Sequence, residues 1–115
     1  MRIRQRLLDG MVEFMELDEQ EPGYDCGYAQ GEIDACFEII DTYIRSIADN
    51  SDSSRPKILS IIQSVVEKLN SLNNSCNGCL IETDQREDLC ELILFAARRA
   101  GLETDDDVTE KWREW

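Results

Sequence analysis

Three features of this sequence predict an all-α fold, an antiparallel four-helix bundle with a short docked C-terminal helix. Apolar residues recur three and four apart in four separate segments, the connections between those segments are short and polar, and no stretch alternates apolar with polar residues as a half-buried strand does. The segment Leu89 to Ala97 is the densest. At about 100° per residue, Leu89, Cys90, Ile93, Ala96, Ala97 and Ala100 share one face, while Leu92 and Phe95 fall on the other. A helix that is apolar nearly all round has to be surrounded, which makes this fourth helix the expected central element.

The first helix is expected over residues 2 to about 17, where Ile3, Leu7, Met11, Phe14 and Met15 form a stripe and Asp9, Glu13 and Glu16 lie opposite it. The breaker-rich stretch from Asp18 to Gly23 then reads as a turn or linker, with Pro22 also suited to the first turn of the next helix. The second helix is clearest from Glu32 to Ala48, through Ile33, Cys36, Phe37, Ile40, Tyr43, Ile44 and Ile47. After the polar connection Asn50 to Ser54, Pro56 marks a helix start. Ile58, Ile62, Val65, Val66, Leu69 and Leu72 trace one face of a third helix ending near Asn73.

Leu80 and Ile81 read as a short extended entry into the fourth helix, with Thr83 or Asp84 as its N-cap. Asp84, Glu87 and Asp88 near its start and Arg98 and Arg99 near its end match the helix dipole, and Gly101 supplies the stop. A last short helix is expected after Thr104, with Val108, Trp112 and Trp115 on one docked face. Arg113 and Glu114 of this tail are expected to meet Asp84 and Arg86.

The 115 residues read as a single α-helical domain, residues 1–115, large enough to bury a core without disulfides or metal. A hydrophobic content of 42% beside 32% charged residues fits an ordered globular chain. No run approaches the length of a membrane span, and Asp9 and Glu13 interrupt any apolar signal segment, so the cytoplasm is the expected compartment. Five cysteines suit a reducing environment, and Cys36 and Cys90 are expected as small core residues. Cys76-Asn77-Gly78-Cys79 has the spacing of a redox pair. It follows a helix on an Asn-Gly turn, where a thioredoxin-type pair would follow a strand, and it lacks the further ligands zinc needs.

Charge is more informative than motif. The formal net charge is −13, and between Arg6 and Arg45 eleven acids stand without a single Lys or Arg. Nucleic acid phosphates would be repelled, so the expected complement is a cationic partner. The chain contains no histidine, which removes Ser-His-Asp and Cys-His catalysis and leaves only carboxylates to carry any chemistry.

Within the acidic segment, Tyr24 and Tyr28 stand among carboxylates and glycines. Tyrosine offers a large, rigid contact area with one polar tip, and surrounding carboxylates would steer a basic surface toward it. The expected partner-binding residues are therefore Glu16, Glu19, Glu21, Tyr24, Asp25 and Tyr28, within a face running from Glu13 to Asp41, and the expected ligand is a basic protein partner. The general plan is similar to that of the colicin-type immunity proteins, which implies an inhibitor role without catalysis. A second arrangement, Glu13-x-x-Glu16 followed by Glu38-x-x-Asp41, resembles the signature of the MazG-type nucleotide pyrophosphohydrolases. That resemblance implies Mg²⁺ held by Glu13, Glu16, Glu38 and Asp41 and a nucleoside triphosphate substrate. A third reading is a structural homodimer formed through apolar residues left over on the second and third helices, so that the chain is expected as a monomer or a homodimer.

Overall fold

The computed structural model describes residues 2–20, 28–104 and 106–115, with residues 17–20 described by their backbone. Four helices carry the chain: α1 (Arg2–Gln20), α2 (Gln30–Asp49), α3 (Arg55–Ser75) and α4 (Thr83–Arg99), with no strand among the described residues. They pack as a helical bundle. The most extensive contacts are α2 on α3 and α1 on α4; α1 with α2, α2 with α4 and α3 with α4 complete the set among the described residues. Both α2 and α4 therefore contact all the other helices, and the central role expected of α4 is shared.

Cross-helix contacts fix the directions. Arg4 reaches Asp41 while Tyr28 reaches Met11, so α1 and α2 run antiparallel. Arg6 reaches Asp88 while Gly10 lies against Gln85, so α1 and α4 do as well. Gly10 and Met11, in the middle of α1, thus sit beside the starts of α4 and α2.

The expected stripes form the core. On α2, Ile33, Cys36, Phe37, Ile40, Tyr43 and Ile47 are buried, and on α3 so are Ile58, Ile62, Val65, Val66 and Leu69. Two asparagines on α3 are buried with them. Asn70 donates to the carbonyl of Trp112 at 2.8 Å and accepts from the Glu114 N–H at 3.1 Å; Asn73 accepts from the Ile81 N–H at 2.9 Å. These bonds satisfy the amides as the core requires and tie two irregular segments to α3. On α4, Leu89, Leu92, Ile93, Ala96 and Ala97 are buried, but Phe95 is 41% exposed, with the Arg99 guanidinium over its ring.

Both turns predicted from glycine are present. At the end of α4 the Leu102 N–H reaches the Ala97 carbonyl and the Gly101 N–H that of Arg98, with Gly101 at φ 109. After α3, Asn77 and Gly78 take φ 57 and 78 while the Gly78 N–H bonds the Asn73 carbonyl at 2.8 Å.

Three local expectations are corrected. The N-cap of α4 is Glu82, not Thr83 or Asp84: the Glu82 N–H is taken up by Oε1 of Gln85 at 3.2 Å. The C-terminal segment docks through Thr109, Trp112 and Trp115, but runs as successive turns instead of a regular helix. Arg113 pairs with Asp107 at 2.9 Å and Glu114 lies against Asn74, so neither tail residue meets Asp84 or Arg86. No helix among the described residues is long and apolar enough to cross a membrane.

Candidate functional site

The expected partner-binding residues fall into three groups. Glu16 is exposed on α1, as is Glu13 one turn earlier. Glu19 belongs to α1, but its side chain lies outside the description; Glu21, Tyr24 and Asp25, like Cys26, lie outside the described residues. Tyr28 is buried, and its hydroxyl donates to the Met11 carbonyl at 2.8 Å, so its ring fastens the start of α2 to α1.

The Mg²⁺ arrangement does not form. Asp41 is gripped by Arg4 through two hydrogen bonds of 2.9 and 2.8 Å, and these hold its carboxyl below the usual carboxylate range. Glu13, Glu16 and Glu38 are exposed on α1 and α2. Among the described residues no group of three or more Cys, Asp or Glu side chains is placed to hold a metal ion. The residues present therefore do not fit the cation that the resemblance implies.

What the helices do bring together is a groove between α1 and α4, about 1000 Å³ in volume. Asp9 and Glu13 line it from one side and Asp84, Glu87, Asp88 and Glu91 from the other, with Arg2 and Arg6 at the end near the start of α1. Antiparallel packing creates it: the polar flank of α1 faces the polar flank of α4's first turns. Arg6 bridges Asp88 and Glu91, each at 2.7 Å, and hydrogen bonding to those two acids raises its own pKa. Asp9 accepts from Gln5 at 2.9 Å. Glu13, Asp84 and Glu87 are exposed and make no ion pair or side-chain hydrogen bond among the described residues. All three line the groove, and Asp84 is further favoured there by the N-terminus of α4.

The floor of the groove is polar too. Gln85 is only 2% exposed, yet it lines the groove, and its Nε2 lies over Gly10, where an added Cβ would approach to 3.1 Å. Gln85 Oε1 is engaged by Glu82, whereas Nε2 has no hydrogen-bond partner among the described residues.

Sequence reasoning missed this site because Asp84, Glu87 and Asp88 had a sufficient local explanation in the dipole of α4. The signal that pointed to it was Gly10, a costly residue in the middle of a helix, which marks where another element approaches α1 closely.

The cysteines give no second site. Cys36 and Cys76 are buried, Cys79 and Cys90 half-buried, and all four are free thiols. Burial pushes the Cys36 thiol up to about 12, which makes it inert near neutral pH. Cys79 Sγ lies 3.8 Å from the Asn77 carbonyl within its own turn. Cys90 is less buried than expected because its sulfur faces the Thr109 hydroxyl of the docked tail, at 3.5 Å.

No protein-family model, no curated protein sequence and no solved structure matches this chain.

Proposed function

We propose that this chain is a non-enzymatic, acidic, all-α binding module whose partner is a basic protein surface, and that its concrete role is that of an inhibitor or immunity protein toward a cationic toxin. The observation that carries this reading is the set of exposed carboxylates without a cation: Glu13 and Glu16 on α1, and Asp84 and Glu87 on α4. The antiparallel arrangement brings Glu13 into the same groove as Asp84 and Glu87. Within a chain of net charge −13, such a cluster raises the rate of encounter with a basic surface and penalises acidic ones. The metal-dependent alternative draws no comparable support, since Asp41 is committed to Arg4.

The test is capture of a partner on the immobilised protein followed by elution in rising salt. Release between about 0.1 and 0.5 M salt is expected, as the Debye length falls below the span of the cluster. Neutralising Glu13, Glu16, Asp84 and Glu87 together should abolish capture. Retention that ignores both ionic strength and that substitution counts against the reading.

A further inference from the structure

The exposed side of α4 changes character once along its length. Asp84, Glu87 and Glu91 occupy its first half and Arg98 and Arg99 its end. Between them stands Phe95, the one large apolar side chain left exposed among the described residues. Beside it lies a groove of about 350 Å³, lined by Ile44, Ile47, Ala48, Ser51, Ala96 and Ala100. Both α2 and α4 run antiparallel to α1, which sets their C-terminal halves side by side, and the bond from Tyr43 to Ile93 fixes that alignment. A protruding ring and an open apolar groove thus share one patch.

Glu91, Phe95 and Arg99 are spaced four apart and so stand on one face of the helix. Charge reverses sign across the ring. A half-turn about an axis through Phe95 therefore carries Glu91 onto the place of Arg99, and the face is its own complement. Arg99 makes no ion pair among the described residues, and its guanidinium lies over the Phe95 ring at 5.8 Å. Glu91 receives Arg6 on Oε2 alone, and its side chain is still 57% exposed. An apolar patch by itself would accept any apolar segment. A knob, a groove and both charges in antiparallel order are what an isologous contact requires.

We infer that this face docks a second copy of the chain, with the two α4 helices antiparallel across a two-fold axis near Phe95. Each Phe95 enters the groove between α2 and α4 of the other copy, and Arg99 of each copy meets Glu91 of the other. The inference goes beyond the binding reading given above and does not depend on it, since none of Glu13, Glu16, Asp84 and Glu87 takes part. The net charge of −13 on each copy opposes association. At about 0.15 M salt the Debye length is about 8 Å, so the distant acids act weakly across the contact while the paired charges meet directly. Two rings and two ion pairs make a small interface, for which a dissociation constant of about 10 to 100 μM is expected.

Sedimentation velocity at about 0.15 M salt, over about 1 to 500 μM protein, tests this. The wild type should pass from monomer to dimer across that range. Phe95→Ala should raise the dissociation constant at least about tenfold, and because the ring is exposed the variant should keep the wild-type melting curve. Arg99→Glu sets like charges against each other at both ends of the contact, and so does Glu91→Arg, so each alone should be monomeric throughout. An equimolar mixture of those two variants should dimerise, since every charged contact is then again between opposite signs. That rescue also shows that both variants are folded. A wild type that stays monomeric, or a Phe95→Ala variant that associates as well as the wild type, overturns the proposal. A mixture that stays monomeric overturns the antiparallel pairing of Glu91 with Arg99.

Discussion

Gly10 of α1 faces Gln85 of α4 so closely that a methyl group on the glycine would lie 3.1 Å from the glutamine amide nitrogen. The contact is tight, but the atom in the way is the far end of a flexible side chain that holds no hydrogen bond through that nitrogen among the described residues. Replacing glycine by alanine inside a helix returns about 1 kcal/mol of backbone entropy. Gly10→Ala should therefore raise the melting temperature by about 2 to 4 °C in a circular dichroism scan. A fall in melting temperature would show that Gln85 is held rigidly in place.

Tyr43 is buried between α2 and α4, and its hydroxyl donates to the Ile93 carbonyl at 2.7 Å. That carbonyl lies in the interior of α4. Tyr43→Phe removes one bond and strands no charge, so a loss of about 1 kcal/mol is expected in urea unfolding at unchanged slope. The same burial drives the phenol pKa up, so the wild-type ring should show no phenolate absorbance until the fold is lost at high pH.

The two tyrosines show how much of this architecture was legible beforehand. Tyr43 sits at helical spacing between Ile40 and Ile47, so its place in the core follows from periodicity. Tyr28 lies beyond the clear start of the second helix, among glycines and acids, and composition alone suggested an exposed contact residue. Its burial depends on Met11 arriving opposite it, which is a property of how α1 and α2 are aligned and not of either segment. The groove was hidden for the same reason. The outward acids of each helix are visible from its own pattern, but periodicity does not say that the flank of α1 carrying Glu13 faces the flank of α4 carrying Glu87. Asn70 and Asn73 were hidden differently, since a buried polar residue is recognised only by the backbone groups it satisfies.

Thiol reactivity should follow burial and thiolate character, not sequence spacing. With iodoacetamide at about pH 8, Cys79 should be alkylated first of the four described cysteines, since it is half-exposed on a turn, and Cys36 last, since it is enclosed and held protonated. Peptide mapping by mass spectrometry reads each site separately. Rapid labelling of Cys36 in the folded protein would mean that α2 is not packed as described.

The docked tail should act as an acid-sensitive latch. Burial works to raise the Asp107 pKa, but hydrogen bonds from the Thr109 hydroxyl and N–H and the nearby Arg113 guanidinium overcome it and hold the carboxyl below its usual range. A depressed folded-state pKa contributes stability that is complete above the unfolded value, about pH 4, and is lost as pH falls through the folded value. As pH falls below about 4 the wild-type tail should therefore loosen, reported by the fluorescence of Trp112 and Trp115, and Asp107→Asn should flatten that transition. Asn70→Ala should release the same segment at neutral pH, because it removes both bonds from α3 to the backbone at Trp112 and Glu114. The expected cost is about 2 kcal/mol, as the truncation removes two hydrogen bonds to the tail backbone. If the tryptophan spectrum of Asn70→Ala matches the wild type at pH 7, the tail is held by the packing of Trp112 and Trp115 and not by the asparagine.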